Sequence, residues 1–487
     1  MQELITPKEI KISEIKENLS FSPNNYKKIL IRNSETKKIS FYLDETSPFA
    51  KGIEPGSAAY VDKSGQSFIR NSCINSIQFS VDKTKYIYLN PTYSYDCKLE
   101  NEDLLLCTDA NIGDACIYLS DGNKNVYSSG IIKLNFKDEK YKWYILAFLR
   151  DNYFKEQLKA KTPKGATISH SGDLFMSCEI PSCDEPWIYS CIESIVKNIV
   201  YSENECRKKI AKSSELFDNE IMLKKYTYVN PSIKKIALLE RLDSSIYSDA
   251  VFQWENNVKN YKNGYTDLNG FGFKTKRGPS LQKRDLGRSI QTDIYRKGYN
   301  ILIYPSDISD SGYIEKISYL GAKNKVWFLE EKYILFSSEG TIGKTFIVCD
   351  NSMHFTTNIH GTMIYPNDST TNIKKCIYLG LYLNYLRTKG IFDKLSVGAN
   401  GGSFAVGYWD NIFIPKVDDS FMNTIKKLYD QQIELNPCIF NKELISNAGI
   451  YQLNNFIIKC KTVLQFICND LKNGELKDKC FYVNFKY

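Results

Sequence analysis

Histidine is nearly absent from this chain. Only His170, His354 and His360 occur among 487 residues, which argues against a histidine-based metal centre. Cysteine is plentiful, at fourteen, but no two are spaced as CxxC, so zinc-finger ligand spacing is missing and no metal site is expected. No apolar run approaches the roughly 18 residues that a membrane-spanning helix needs. The opening MQELITPKEIKISEIK alternates charges with single aliphatics and holds no apolar core of a secretory leader. A cytoplasmic chain with reduced thiols is therefore expected. Hydrophobic residues at 43% and charged residues at 25% exclude a disordered or collagen-like chain. The length predicts two or three domains.

What is present is positive charge in one place. The net charge of +8 is mild, and its distribution says more than its sum. Between 274 and 297 stand Lys274, Lys276, Arg277, Lys283, Arg284, Arg288, Arg296 and Lys297, opposed only by Asp285 and Asp293. Such a stretch suits a polyanion.

The chain also contains itself twice. EDLLLCTDANIGDACIY (102–118) and EKYILFSSEGTIGKTFIV (331–348) each read as an apolar run, a polar turn closing on Ile-Gly, and a second apolar run. That is strand, tight turn, strand. Ile112-Gly113 and Ile342-Gly343 are offset by 230. Further landmarks follow in the same order: SSGIIKLNF (128–136) and TTNIHGTMIY (356–365), then two short helices at 142–150 and 375–387. Gly-rich loops come next at 164–173 and 398–407, and each copy closes on an Ile-Pro, Ile180-Pro181 and Ile414-Pro415.

A heptad-like stripe follows each Ile-Pro. Ile188, Ile192, Ile195, Ile199, Ser202 and Cys206 alternate by four and three, as do Ile450, Leu453, Ile457, Cys460, Leu464, Ile467 and Leu471. This is a coiled-coil seam or the buried face of an amphipathic helix. Helices are expected over 185–223 and 441–473, the first about 58 Å long at 1.5 Å per residue. Pro437 makes 419–435 a separate helix.

The order of domain, long helix, related domain, long helix resembles the specificity (S) subunit of type I restriction-modification systems. The likeness is carried by SSEGTIGKTFIV (337–348), its weaker partner CTDANIGDACIY (107–118), the Ile-Pro before each helix, and the openings KGIEPGSAAY with SFIRNS (51–60, 67–72) and KTKRGPS (274–280). It implies an α+β fold: two pseudo-repeated mixed α/β target-recognition domains separated by two long antiparallel coiled-coil helices. The expected limits are 1–183 and 226–417 for the domains, 184–225 for the first spacer helix, and 418–487 for the second helix and tail.

The resemblance also implies a function. Each domain would read one half of a bipartite site in double-stranded DNA, and the helices would set the spacing and dock methyltransferase (M) subunits, two copies being expected. Those partners bind S-adenosylmethionine and methylate adenine at N6. A restriction/translocase (R) subunit joins in systems that cut. The S chain is no enzyme, binds no cofactor itself, and sits in the bacterial cytoplasm, held at the nucleoid through DNA. Alternatives from other classes are a self-contained DNA methyltransferase or nuclease, and a scaffold or decoy that binds methyltransferase subunits.

Phosphate contacts come from Lys and Arg, and base contacts from Arg, Asn, Gln, Ser and Thr on loops. The expected DNA-binding residues in the first copy are Lys51, Ser57, Arg70, Asn71, Thr108, Asn111 and His170. In the second they are Lys276, Arg277, Ser280, Gln282, Lys283, Arg284, Ser338 and Thr341. Three motifs read as decoys. SEGTIGKT (338–345) is one residue from a P-loop, but the following FIVCD predicts a strand where a P-loop needs a helix. NPTY (90–93) approaches the N-P-P-Y of adenine methyltransferases, with GFGF (270–273) as the one candidate cofactor turn. Asp307 with Glu330 and Lys332 has the composition of a nuclease D…ExK.

Overall fold

The computed structural model describes residues 3–483 apart from 6, 19–20, 22, 93–96, 163–170, 222–225, 240, 399–401 and 405. His170, Tyr93, Phe485 and Tyr487 lie outside the described residues. Two compact units are formed. The first takes Met1–Glu203, Leu435–Lys442 and Lys459–Tyr487; the second takes Asn204–Glu434 and Glu443–Ile458.

In the first unit a four-stranded antiparallel sheet has the spatial order Phe49–Lys51, Ile131–Leu134, Leu104–Cys107, Ala115–Ile117. In the second unit the order is Phe273–Arg277, Gly361–Pro366, Ile334–Ser337, Thr345–Ile347. The registers are the same. Leu104 faces Ile117 and Cys107 faces Ile131 in one; Ile334 faces Ile347 and Ser337 faces Gly361 in the other. Both central strands, LLLC and ILFS, are buried throughout. That is why they read as continuous apolar runs and not as alternation.

A second sheet in each unit also repeats, now with one parallel pairing. Lys124–Tyr127 runs parallel to Gln66–Ile69, which is followed by Ile87–Leu89 and Tyr60–Val61. Phe355–Thr356 runs parallel to Asn300–Leu302, followed by Ser318–Ala322 and Ser289–Thr292. The sheets are thus mixed, as expected for two α+β domains.

The recurring dipeptides have physical work. At the Ile-Gly turn, Gly113 N–H donates to Cys107 O and Cys107 N–H to Asp114 O; Gly343 N–H donates to Ser337 O and Ser337 N–H to Lys344 O. Gly113 and Gly343 have φ of 83° and 91°, in the left-handed region that favours glycine. Ala110 adopts φ 56° where the second copy has Gly340 at 73°, so the turn is kept despite the different residue. Asp114 is balanced locally by Lys155 at 2.8 Å. Each Ile-Pro forms a short closing strand, Glu179–Pro181 against Thr36–Lys38 and Ile414–Pro415 against Tyr265–Thr266. Its proline carbonyl accepts a buried phenol, from Tyr144 at 2.8 Å and from Tyr378 at 2.9 Å. Burial holds both phenols well above their ordinary pKa, so they stay donors.

Those tyrosines sit on the predicted short helices, Lys140–Leu149 and Ile373–Thr388. The long helix Pro186–Ile221 follows the first domain, and all six seam residues are buried. Buried positions also include Cys191, Val196, Val200 and Glu203, a stripe wider than two-stranded seam packing, because the helix also covers domain surface. Within the first unit, the Trp187 and Tyr482 rings lie 6.2 Å apart and Glu203 pairs with Lys461. The C-terminal segments therefore run opposite to this helix there. The second helical region is broken, contrary to the expected 441–473: Lys442–Asn447 stops before Ile450–Asn473. Gly449 donates to Gln431 O at 2.7 Å, and a side chain there would meet Tyr429 O at 2.5 Å. The separate helix expected before Pro437 is Asp419–Asp430. Among the described residues no helix is long and apolar enough to cross a membrane.

Candidate nucleic-acid interface

The first sheet of each unit begins on an edge strand that ends in a cation followed by glycine. Lys51 lies opposite Ile132, and Arg277 opposite Thr362, the same register position in the two copies. Both side chains are exposed. The glycines are demanded by a close approach. A Cβ at Gly52 would stand 2.2 Å from Ser128 O, and one at Gly278 would stand 1.9 Å from Asn358 O, again equivalent positions. The chain is pressed there onto the segment that leads into the neighbouring strand, and the preceding cation is held at the strand end.

Arg277 is oriented. Its Nε donates to Ile359 O at 2.9 Å and its Nη2 to Glu339 Oε1 at 2.9 Å, while Glu339 Oε2 lies 2.5 Å from His360 Nδ1. His360 first and Arg277 after it hold the Glu339 carboxyl below the usual carboxylate range. An oriented guanidinium of this kind suits bidentate recognition of phosphate or guanine. Sequence reasoning placed Arg277 here but missed Glu339 and His360 as its partners. The Ile-Gly repeat locates Glu339, but no local pattern links it to residue 277.

The other expected residues divide by what their polar groups do. Ser57 and Arg70 are exposed. So are Gln282, Lys283 and Arg284, around the helical turn Lys283–Leu286, where Arg284 approaches Asp285 at 3.6 Å. Ser280 is half-buried and accepts the Gln282 N–H. Thr108 is buried and donates to Gly130 O, while its carbonyl accepts from Ser171. Asn71 donates to Asp109 O, and Asn111 to Asn71 O and Ile74 O. Ser338 is buried against Thr362 Oγ1, and Thr341 meets Ser337 Oγ. These five close the Ile-Gly turn upon itself.

Lys276 is half-buried among rings. Its Nζ lies 4.5, 4.9 and 5.3 Å from the ring centroids of Trp327, Tyr365 and Tyr333. The ammonium is held by three aromatic faces. Its register equivalent in the first copy is Ala50.

The decoys resolve in structural terms. Thr345–Ile347 is a strand and Lys344 is buried, so the P-loop-like segment is a β-turn. Asp307 caps its own turn by accepting the Tyr304 N–H. Asn90 accepts from the Thr92 N–H and hydroxyl, which makes NPTY a turn up to the last described residue. GFGF leads directly into the strand Phe273–Arg277.

No protein-family model matches this chain, and no curated protein matches it. Among solved structures it is similar to a type I restriction-modification system S subunit from M. genitalium, at 13% identity and a TM-score of 0.38, over 95% of this chain and 99% of that one. It is similar to a chain from work on complex assembly and conformational transition of the type I R-M system, at 12% identity and 0.28, over 92% and 99%. It is also similar to the HsdS subunit from Thermoanaerobacter tengcongensis, at 12% identity and 0.27, over 91% and 97%.

Proposed function

We propose that this chain is the DNA sequence-specificity component of a restriction-modification methyltransferase assembly. The observation that carries the reading is the cation–glycine end of the edge strand, Lys51-Gly52 and Arg277-Gly278, presented at one register position by two copies of one topology. Duplicated frames suit a ligand with two related halves, as a two-part duplex site is. The exposed set Lys51, Ser57, Arg70, Arg277, Gln282, Lys283 and Arg284 supplies phosphate and base donors. The helices after each domain are the proposed dock for two methyltransferase subunits, which carry S-adenosylmethionine and methylate adenine at N6. A restriction subunit joins where cleavage occurs. This chain contributes binding and no chemistry, in the cytoplasm and at the nucleoid.

The test is selection from a random duplex pool by the full chain, with and without an adenine methyltransferase subunit of a type I system. Two short sequence blocks at a fixed separation are expected. Enrichment of no motif, or methyl transfer by this chain alone, would overturn the reading.

A further inference from the structure

The second sheet of the second unit carries a pocket that the DNA reading does not use. It has a volume of about 320 Å³ and is lined chiefly by Arg288, Ile290, Tyr299, Gly321 and Lys323. Its origin is a missing side chain. Ser318–Ala322 is flanked by Ser289–Thr292 on one side and Asn300–Leu302 on the other. Ile290 lies directly opposite Gly321, and Asn300 opposite Leu320, which brings Tyr299 level with Gly321 from the other side. The Tyr299 ring lies across the glycine, where a Cβ would stand 2.4 Å from its Cε1. Any larger residue at 321 would expel the ring and fill the pocket.

Two steps outward along the ladder, Lys323 N–H donates to Arg288 O at 2.8 Å. Side chains two residues apart on a strand share a face, so Arg288 and Lys323 rise beside Ile290 and Gly321. Both cations are exposed. Among the described residues neither has an acidic partner within ion-pair distance, unlike Arg277 and Arg284. Like charges directly opposite on adjacent strands repel, and an anion between them removes that cost. Ile290 is 41% exposed although it is a large aliphatic on this face. The floor is thus an aromatic plane and an aliphatic, and one wall is a pair of uncompensated cations. This combination suits a flat, partly apolar ligand with an anionic end. The volume falls at the small end of the range for small-molecule sites, about 300–1,000 Å³.

We propose that this pocket is a nucleotide site, with a base laid against Tyr299 and its phosphate held by Arg288 and Lys323. Stacking accepts any base because every base has a π-face, so the site reads an unstacked nucleotide and not a sequence. The source is either a free nucleotide or an unpaired nucleotide within a strand; only the second rests on the DNA reading.

The test is calorimetric titration of the full chain with deoxyadenosine monophosphate and, separately, with a single-stranded oligothymidylate of about twelve nucleotides. Saturable binding of the monophosphate, abolished in Arg288→Glu/Lys323→Glu and weakened about tenfold in Tyr299→Ala, supports a site for free nucleotides. Binding of the oligonucleotide alone, with the same losses, supports a site for an unpaired strand. Arg288 and Lys323 are exposed and Tyr299 is half-buried, and circular dichroism is the check that the variants fold. Gly321→Val is a second probe that closes the pocket without changing charge, and it should also abolish binding. No binding of either probe, or binding indifferent to these substitutions, overturns the proposal. Duplex selection is read separately, so a chain that ignores duplex DNA and still takes the monophosphate keeps this site and loses the function proposed above.

Discussion

Replacing Glu203 by alanine tests how a long helix is tied to its domain. The Glu203 side chain is fully buried and accepts three hydrogen bonds through Oε2, from Phe79 N–H at 3.0 Å, Ser80 N–H at 3.1 Å and Ser80 Oγ at 2.9 Å. Its other oxygen lies 3.5 Å from Lys461 Nζ, itself only 13% exposed. Alanine leaves buried donors without an acceptor, at about 1–3 kcal/mol each. It also takes the carboxylate away from Lys461, whose Nζ keeps Ile77 O at 3.5 Å, and breaking a buried pair costs about 3–5 kcal/mol. Both terms describe one carboxylate and overlap, so the expected loss is about 3–5 kcal/mol. Glu203→Gln keeps an acceptor for the three donors and should lose less, about 1–2 kcal/mol. Native-state hydrogen exchange at the Phe79 and Ser80 amides reads the effect directly. At about 1.4 kcal/mol per factor of ten, exchange should rise roughly a hundred- to several-thousand-fold in the alanine variant. The Ile314 amide in the second unit, held by Asn454 Oδ1 at 2.7 Å, is the internal control and should be unchanged. A rise below about tenfold at Phe79 and Ser80 would refute the assignment of Glu203 as the tie.

Arg277→Ala with Arg284→Ala should weaken duplex binding and lower the log–log salt slope by about 1.8, at roughly 0.9 per phosphate contact; an unchanged slope in a salt titration removes this strand end and loop from the interface. Gly343→Ala should destabilise its unit by about 1–3 kcal/mol, because a Cβ would stand 2.7 Å from Phe392 Cδ2 at a φ of 91°. Gly113→Ala, 3.2 Å from a Leu158 methyl, should cost less in a thermal melt. The Glu339 carboxyl is held below its ordinary 4.5 by His360 and Arg277, so its ion pair with Arg277 is fully present above that value and is lost as pH falls through the lowered folded value. A carboxyl NMR titration should show that lowered midpoint, with His360→Ala raising it more than Arg277→Ala.

Features encoded by neighbouring residues were legible in the sequence. The Ile-Gly turn needs a left-handed glycine, and both copies display one at an offset of 230. The seam after each Ile-Pro is a periodicity, and every residue of it is buried. Features that depend on contacts far along the chain were hidden. The purpose of each Ile-Pro lies in a tyrosine 37 residues earlier. Thr108 and Ser338 have the composition of base-reading residues, but Gly130 and Thr362 take up their hydroxyls. Lys276 counts toward the basic stretch until three rings from 327–365 enclose it. The helix break at Gly449 is set by Tyr429 and Gln431 pressing on it from outside the helix.

The frames are twins, but their tips differ. One ends in Lys51 after a plain Ala50, the other in a braced Arg277 after a caged Lys276. A molecule with matched halves cannot tell one direction along a duplex from the other and reads a palindrome. Unlike tips on like frames abolish that indifference, so on the reading proposed here the target has a front and a back, and turning the same word around makes it a different address.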